Sequence, residues 1–315
     1  MTETPLVLKT VLGDYGQVMA LKEGIVVSER LKFAFVEDYH PTNRAFRPMV
    51  ERLPFAVSEM ALTTYMVAKS FGKKMTALPV VPMRLFHHGA IQTHAKAGIR
   101  SPKDLEGKRV GLRAYSQTGP TWSRGILQHE YGVDLGRINW VSFEGSHVAE
   151  YQDPGNVVRA EAGKKLGEML LAGEIDAAIG AEKLDSPDVK PLFARASDEE
   201  AAWFKKTGIY PVNHVVVVKS DLVAAHPWLL GELFGLFKAA KERYLATLAY
   251  EGAATPEDEK LLRQKAIVGE DPLPYGMAAN RLAIETLSRY CTEQGLLPRP
   301  YALEEFFEPS ALALA

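Results

Sequence analysis

The stretch from residue 101 to residue 125 constrains the fold more than any other part of the sequence. It reads SPKDLEGKRVGLRAYSQTGPTWSRG. Ser101 suits the start of a short helical turn and Gly107 its end, and the segment KRVGL that follows predicts a strand. Residues 115–118 form a polar loop just before Gly119, where the next helix is expected to begin. Because free backbone N–H groups at a helix start bind anions, the sequence predicts an anion site here.

Strand and helix patterns alternate along the first two thirds of the chain. Apolar and β-branched runs predict strands at 6–12, 32–36, 76–81, 108–113, 138–142, 175–179 and 214–219. Helical patterns lie between them at 16–23, 43–52, 61–71, 119–131 and 161–172. The last strand carries four consecutive valines, which is typical of a strand buried on both faces of a parallel sheet. This alternation predicts doubly wound α/β lobes.

The order of the segments predicts two lobes and a helical C-terminal region. The segment Gly173–Gly180 (GEIDAAIG) ends a helix and begins a strand of small residues, and with the opening stretch it resembles the second lobe of a type II periplasmic-binding-protein fold. We predict lobe one at 1–92 plus 213–315 and an inserted lobe two at 93–212. Two chain crossings would form the hinge, and a ligand would bind in the cleft between the lobes, at strand ends and helix starts.

Composition and the N-terminal segment indicate which binding partners and which cellular compartment to expect. The chain of 315 residues has 37 basic and 39 acidic residues and a net charge of −2, so no clustered basic excess indicates a nucleic-acid partner. Cys291, the only cysteine, lies on an amphipathic helical pattern and is expected in the core. An acidic residue, Glu3, stands where a signal peptide would be basic. No window reaches the roughly 20 apolar residues of a membrane span. These features predict a cytoplasmic protein with no membrane partner.

Two polar clusters directly follow predicted strands and would meet in the cleft. Asp14 and Tyr15 follow the first strand, where Asp14 could cap a helix, contact a ligand or do both. Ser58 and Glu59 follow the strand FAV and precede several hydroxyl residues. Capping explains Ser58 well. Glu59 is a candidate general acid or base, or a hydrogen-bonding partner of the ligand.

Charged and imidazole side chains form the remaining candidates. Arg84 could clamp a carboxylate through paired N–H donors. His87 and His88 alternate sides on an extended segment, so one of them is expected to face the cleft. Arg124 follows the polar loop and could reach the ligand or lie on the surface. His214 stands before the valine strand, either as a hinge histidine with a backbone partner or as a catalytic group.

The sequence carries no pattern for a bound metal or an organic cofactor. Metal-binding histidines and carboxylates usually stand at defined spacings such as HxH or HExxH, and neither occurs in this chain. A glycine-rich phosphate loop and a dinucleotide fingerprint are also lacking. We therefore expect no metal and no cofactor.

Longer segments give the chain a resemblance to the 4,5-dihydroxyphthalate decarboxylase family over nearly its full length. These segments are VSEMALTTY (57–65), ALPVVPMRLF (77–86), GIRSPKDLEGKRVGL (98–112), TGPTWSRGIL (118–127), EYGV (130–133), GEIDA (173–177), FKKTGIYPVNH (204–214), HPWLL (226–230) and GEDPLPYGMAANR (269–281). The resemblance implies a fold similar to type II binding proteins. It also implies removal of CO2 from a hydroxylated aromatic carboxylic acid, a lyase step of phthalate degradation and aromatic compound catabolism.

The resemblance also implies roles for the candidate residues. Glu59 and His88 would be the acid–base pair, with His214 as a third candidate. Arg84 would anchor a substrate carboxylate together with the loop residues Ser116, Gln117, Thr118 and Gly119. The other expected substrate-binding residues are Asp14, Tyr15, Ser58, His87 and Arg124. The family activity implies 4,5-dihydroxyphthalate or a close analogue as substrate. Because His87 stands where the family usually has arginine, we expect poorer use of 4,5-dihydroxyphthalate than of an analogue with one carboxylate or a different carboxylate spacing.

Two other functions remain open on the same fold. The first is a solute-binding protein or sensor that clamps an aromatic acid without turning it over. The second is a different small-molecule lyase, such as one acting in menaquinone synthesis. All of these interpretations share a small aromatic or related ligand in the cleft, and all are compatible with a homo-oligomer.

Overall fold

The computed structural model describes residues 4–315 and divides them into two compact units. Unit 1 runs from the first described residues to Arg84 and also includes Val212–Glu285 and Tyr301–Ala315. Unit 2 comprises Leu85–Pro211 and Thr286–Pro300. Glu3, the acidic residue at a position where a signal peptide would be basic, lies outside the described residues.

The unit boundaries differ from the predicted lobes in two places. The prediction gave 85–92 and 286–300 to lobe one, whereas the structure places both segments in unit 2. The chain therefore passes between the units at four points, after Arg84, Pro211, Glu285 and Pro300, instead of at two. The segment from Thr286 onward joins unit 2 because its side chains pack there. Tyr290, for example, lies edge-on to Trp122 with ring centroids 5.7 Å apart.

The strands agree with the prediction at most positions, and three short ones were missed, at Ile91–His94, Val157–Arg159 and Val189–Pro191. In chain order the strands are β1 (Leu6–Val11), β2 (Leu31–Phe35), β3 (Val57–Ala61), β4 (Met75–Arg84), β5 (Ile91–His94), β6 (Arg109–Leu112), β7 (Asn139–Ser142), β8 (Val157–Arg159), β9 (Ala177–Ile179), β10 (Val189–Pro191) and β11 (Val212–Lys219).

The helices follow the same alternation and dominate the C-terminal region. They are α1 (Gly16–Lys22), α2 (Phe46–Arg52), α3 (Leu62–Ser70), α4 (Thr118–Tyr131), α5 (Leu166–Leu171), α6 (Ala196–Thr207), α7 (Ser220–Ala225), α8 (Leu229–Glu251), α9 (Pro256–Val268), α10 (Met277–Glu293), α11 (Leu303–Phe306) and α12 (Pro309–Leu312). Helix α6 was not predicted from the sequence pattern. Within residues 4–315, none of these helices has the length and apolar character needed to cross a membrane.

Unit 1 is built on a five-stranded sheet with the order β2-β1-β3-β11-β4. Strands β2 and β3 both pair parallel with β1, whereas β11 pairs antiparallel with both β3 and β4. The sequence correctly indicated that the valines of β11 are buried, since Val215–Val218 have no exposed surface. The predicted parallel setting of this strand is wrong, because burial on both faces fixes a strand's hydrophobicity but not its direction.

Unit 2 is built on a six-stranded sheet with the order β10-β5-β9-β6-β7-β8. The four strands from β9 to β8 are parallel, and β5 and β10 complete one edge in antiparallel pairing. Helix α4 follows the carboxyl end of β6 through the polar loop. The mixed sheets covered by helices give the chain the α/β fold class predicted from its sequence.

Candidate active site

The buried carboxylate of Glu59 is the centre of a hydrogen-bonded cluster in unit 1. Glu59 is completely buried in the middle of β3. Its Oε1 accepts a hydrogen bond from the Tyr15 hydroxyl at 2.7 Å and one from His214 Nδ1 at 2.5 Å. Its Oε2 accepts the backbone N–H of Gly13 at 3.0 Å. A carboxylate with three donors satisfies most of its capacity as an acceptor without any water.

Strand pairing explains why these residues meet. Val216 on β11 pairs directly with Glu59, and His214 is two residues before it, so His214 and Glu59 are diagonal neighbours on one face of the sheet. Strand β1 pairs parallel with β3, so the segment after β1 reaches the same sheet edge as the end of β3. Gly13 and Tyr15 lie in that segment and approach the carboxylate from the end of β1.

Gly13 is needed for the Tyr15 side chain to fold back onto Glu59. A Cβ at position 13 would lie 2.6 Å from Cε2 and 2.8 Å from Cζ of the Tyr15 ring. Any larger residue would therefore push the ring away from its place. The same glycine supplies the amide that binds Glu59 Oε2, so one position serves both contacts.

Besides Tyr15, which is partly exposed, His214 is the side chain of this cluster that reaches solvent. Its side chain is 15% exposed, whereas that of Glu59 is fully buried. The ring of Phe46 stands edge-on to the imidazole, with centroids 5.2 Å apart and an angle of 87°. With Nδ1 bound to Glu59 and the Phe46 ring against it, the imidazole is fixed in orientation, and Nε2 has no hydrogen-bond partner among the described residues.

The electrostatics of the cluster favour a charged carboxylate. Burial alone would raise the pKa of Glu59, but the hydrogen bond and charge of His214, with the donors Tyr15 and Gly13, hold that pKa below its usual value. Burial, followed by the neighbouring Glu59 charge, raises the pKa of Tyr15 far above its usual value. Tyr15 is therefore a permanent hydrogen-bond donor to an ionised Glu59.

Two predicted neighbours of this cluster have other roles. Asp14 is exposed and binds Lys22 Nζ at 2.6 Å. Helix α1 begins at Gly16 with Tyr15 as the residue before it, so the predicted helix cap at Asp14 is wrong. Ser58 is buried inside β3 and donates to the backbone oxygen of Glu59, so it does not cap a helix either.

Arg84 lies at the end of β4 in unit 1 and is 4% exposed. Its Nη2 donates to Asn280 Oδ1 on α10 and to the Pro274 carbonyl at 3.4 Å. Asn280 in turn donates to the carbonyls of Pro274 and Gly276, at 2.9 and 2.8 Å. Asn280 belongs to the segment 269–281 that carries the resemblance, but it was not among the predicted site residues. The role of Arg84 as a carboxylate anchor stays a prediction. The guanidinium that would bind the carboxylate is already hydrogen-bonded to Asn280 on α10.

The polar loop of unit 2 has the geometry expected of a helix start. Helix α4 begins at Thr118, and the side chain of Gln117, the residue before it, makes no capping hydrogen bond. Ser116 and Thr118 are buried. A Cβ at Gly119 would lie 3.4 Å from Cε1 of His87, so the buried ring of His87 packs against the first turn of α4. The loop and His87 remain the predicted anion-binding group of unit 2.

His88 lies in an aromatic cluster of unit 2, which we define as Tyr131, Phe193 and Trp203. The three ring centroids are 6.1, 5.3 and 5.9 Å from that of His88. Among residues 4–315, neither ring nitrogen of His88 has a hydrogen-bond partner. Burial lowers the pKa of His88 to about 4, although Glu130 opposes this shift. The histidine bound to Glu59 is thus His214, the third candidate, and His88 is a neutral core residue.

Arg124 is also a buried residue of unit 2, with no exposed surface. Its Nε donates to Gln294 Oε1 at 2.8 Å and its Nη2 to the Tyr115 carbonyl at 2.7 Å. The guanidinium also stacks on the Tyr115 ring, 3.8 Å from its centroid. The surface alternative for Arg124 is wrong. In this structure Arg124 joins the polar loop to Gln294, a residue that no sequence pattern singled out.

One group of side chains in the described part of the chain has ligand atoms close enough for a metal ion. The ligand atoms of Asp14, Glu37 and His40 lie within 4.8 Å of one another. Lys22 already supplies a positive charge there, with Nζ 2.6 Å from Asp14 and 3.6 Å from Glu37. The donor set therefore resembles an exposed ion-pair network more closely than a vacant metal site.

Comparison with known proteins gives two kinds of similarity. A family model described as NMT1/THI5-like matches residues 50–157. The chain is 29% identical over 332 residues to the 4,5-dihydroxyphthalate decarboxylase of Comamonas testosteroni, covering 98% of both proteins. It is also 29% identical over 213 residues to the enzyme of that name from Pseudomonas putida, covering 63% of this chain and 81% of the relative.

Similar solved structures show the fold class. The periplasmic aliphatic sulphonate-binding protein SsuA of Escherichia coli matches with a TM-score of 0.56 and 13% identity, covering 98% of this chain and 99% of that one. The desulfurization enzyme DSZB matches with a TM-score of 0.56 and 14% identity, covering 98% and 97%. At this identity these matches bear on the fold alone. The predicted resemblance is confirmed: along almost its whole length, on a periplasmic-binding-protein-like α/β fold, this chain is similar to 4,5-dihydroxyphthalate decarboxylases.

Proposed function

We propose that this chain is a carboxy-lyase that removes CO2 from a hydroxylated aromatic carboxylic acid, namely 4,5-dihydroxyphthalate or a close analogue. The observation that carries the proposal is the contact between Glu59 and His214, a buried carboxylate bound to a partly exposed imidazole at 2.5 Å. Such a pair is suited to proton transfer. The names of the two curated relatives support the substrate class.

The reaction needs one proton for each carboxyl group removed. When CO2 leaves, the electron pair of the broken carbon–carbon bond stays with the ring carbon, and a proton takes the place of the carboxyl group. A ring hydroxyl para to that carbon donates electron density and allows the carbon to be protonated before the bond breaks. Because the ring itself holds the electrons, the proposed reaction needs no separate electron-sink cofactor.

His214 is the group in unit 1 that can supply this proton. In its imidazolium form it donates the proton from Nε2 to the ring carbon, and the neutral imidazole then takes up another proton from solvent. The Glu59 carboxylate, bound to Nδ1, fixes the ring orientation and stabilises the imidazolium. A buried carboxylate acts on histidine in the same way in the Ser-His-Asp triad.

The anion-binding groups that the sequence predicted are the proposed carboxylate anchors. In unit 2 they are the loop from Ser116 to Gly119 and the ring of His87 packed against it. In unit 1 the candidate is Arg84, whose guanidinium also holds Asn280. A helix start and a guanidinium both favour a carboxylate, through backbone N–H donors and through charge.

Turnover of a substrate panel, with binding measured in parallel, tests the proposed function. The panel contains 4,5-dihydroxyphthalate, monocarboxylated dihydroxybenzoates and phthalate, which lacks the hydroxyl groups. We expect CO2 release from at least one hydroxylated acid and none from phthalate. His214→Asn should lower kcat by about 10²–10⁴-fold. The control His226→Asn changes a unit 1 histidine that contacts Trp228 instead. Calorimetric binding of the panel without CO2 release from any member would assign the chain to the binding proteins.

A further inference from the structure

The carboxylate of Glu59 has little room for a proton, because three of its four lone-pair positions already accept a hydrogen bond. The Tyr15 hydroxyl and His214 Nδ1 occupy Oε1, at 2.7 and 2.5 Å. The Gly13 amide occupies Oε2 at 3.0 Å. A proton added to Oε1 would displace the donor group of Tyr15 or His214, and losing a hydrogen bond inside this completely buried site is costly. Glu59 is therefore poorly suited to accept and release a proton during turnover.

Tyr15 is equally unsuited to direct contact with a substrate. Its hydroxyl is spent on Glu59, and its ring is folded back so tightly that position 13 must be glycine. If the hydroxyl turned toward a ligand, Glu59 would lose one of its three donors inside the sheet. Of the proton-carrying atoms in this cluster, His214 Nε2 has no hydrogen-bond partner among residues 4–315.

We propose that Tyr15 and the Gly13 amide are positioning groups that keep Glu59 as a carboxylate aimed at His214 Nδ1, so that the substrate proton passes through His214 Nε2 alone. This inference rests on the proposed function and changes the expected role of Tyr15 from substrate binding to positioning. It also makes Glu59 a positioning residue, which acts on the substrate only through His214.

The charges around the cluster are few. The titratable groups acting on Glu59 are His214 from β11 and Tyr15 from the segment before α1. Asp14 acts further on Tyr15, and its carboxylate is bound to Lys22. The Tyr15 hydroxyl is therefore the donor whose removal changes the Glu59 environment most cleanly, because Tyr15→Phe keeps the ring and deletes only the oxygen.

The test compares wild type, Tyr15→Phe and the control Tyr39→Phe through pH profiles of kcat and KM. Tyr39 is another unit 1 tyrosine, and its ring packs on Phe55. Since Glu59 loses a donor, its carboxylate becomes easier to protonate. In Tyr15→Phe the acidic limb of the pH profile of kcat should then move up by about one pH unit, and kcat itself should fall about tenfold. KM should stay within about twofold, because Tyr15 does not touch substrate. Tyr39→Phe should match wild type.

A raised KM in Tyr15→Phe with an unmoved acidic limb would overturn the inference, because that pattern belongs to a substrate contact. An unchanged profile with unchanged kcat and KM would also overturn it.

A spectroscopic readout separates this inference from the proposed function. A proton on His214 Nδ1 held by a carboxylate at 2.5 Å should give a strongly deshielded NMR signal in the protein without ligand. His214→Asn assigns the signal by removing it. The signal should shift in Tyr15→Phe and stay in place in Tyr39→Phe. If these shifts occur in a chain that turns over no aromatic acid, the positioning inference stands and the proposed function fails. If the signal is missing from wild type or unmoved in Tyr15→Phe, the positioning inference fails.

Discussion

The surroundings of Glu59 in unit 1 and of His88 in unit 2 accommodate a buried titratable group in opposite ways. Glu59 receives three hydrogen-bond donors, and its pKa lies below the usual value despite complete burial. His88 has three aromatic rings around it, no hydrogen bond from the described residues and a pKa lowered to about 4. The first environment keeps a charge inside the protein, and the second keeps a charge out.

The partners of a buried titratable group therefore decide its chemistry. Desolvation disfavours the charged form of both Glu59 and His88. Only Glu59 has donors that outweigh this cost, and one of them is a histidine with exposed surface. A histidine becomes a candidate for proton transfer when it has a carboxylate partner and exposed surface. His214 has both, whereas His88 is buried and has no carboxylate partner among the described residues.

The largest expected effect comes from removing the charge of Glu59. Glu59→Gln keeps the shape of the side chain but leaves His214 without an anion to stabilise its imidazolium. We expect kcat to fall by about 10²–10⁴-fold with little change in KM. Steady-state kinetics on the best substrate of the panel measures this, with circular dichroism to verify the fold. A kcat close to that of wild type would break the comparison, since the environment of Glu59 would then have no chemical consequence.

The next effect concerns the stability of unit 2 at acidic pH. The unfolded chain protonates His88 near its ordinary pKa of 6.5, whereas the folded chain does so at about 4. The unfolded state therefore holds more protons between these values, and the free energy of unfolding falls as the pH drops through this window. The loss attributable to His88 is about 3 kcal/mol. The His88→Phe variant should not show this loss in the free energy of unfolding.

Urea unfolding of wild type and His88→Phe at pH 7 and pH 4 measures the difference, because all other groups titrate alike in both proteins. At pH 7 we expect His88→Phe to turn over substrate within about threefold of wild type, the range of an ordinary core replacement. Loss of turnover in a folded His88→Phe protein would return His88 to the catalytic candidates and erase the contrast with His214.

A smaller effect is expected from the buried cation of unit 2. Gln294→Leu removes the oxygen that accepts from Arg124 Nε at 2.8 Å and the donor to the Thr121 carbonyl at 3.1 Å. Because a buried charged donor then lacks an acceptor, we expect a loss of about 2 kcal/mol in the free energy of unfolding. The exposed Gln152→Leu is the matched control. Equal stabilities for the two variants would show that this buried charge, unlike that of Glu59, does not depend on its partners.

The smallest effect is expected at the exposed ion-pair network beside the Glu59 cluster. Asp14→Asn removes the ion pair with Lys22, and exposed pairs contribute at most about 1 kcal/mol. KM should not change if Asp14 lies outside the substrate contacts, and a chelator should affect wild type and variant equally. Thermal unfolding and kinetics with and without the chelator provide the measurements. A steep rise in KM would restore Asp14 to the predicted substrate-binding residues.

The sequence predicted well what depends on local pattern. Helix α4 begins at Thr118, one residue from the expected start, because a polar loop followed by glycine and proline is a strong local signal. Burial of the β11 valines was correct for the same reason. The direction of β11 was missed, since the pairing of one strand with another is not contained in its own composition.

Prediction of the candidate site was limited in the same way, because its contacts depend on strand pairing. Glu59 could be singled out as an acidic residue among apolar ones, but its partner His214 lies 155 positions away and meets it only through strand register. The catalytic role expected of His88 stays a prediction. Its aromatic surroundings could not be foreseen, because Trp203 of that cluster comes from α6, a helix rich in charged residues that the pattern did not reveal. Gln294 and Asn280 are ordinary amides until tertiary contacts give them a charged neighbour.

The location of Glu59 inside a strand, with β1 on one side and β11 on the other, has a consequence for how activity is lost. Loops open by local fluctuations, whereas the interior strands of a sheet open only when the whole unit unfolds. The amide protons of β3 should then be among the slowest in unit 1 to exchange with deuterium. Heat inactivation should follow the cooperative melting of that sheet and should not precede it.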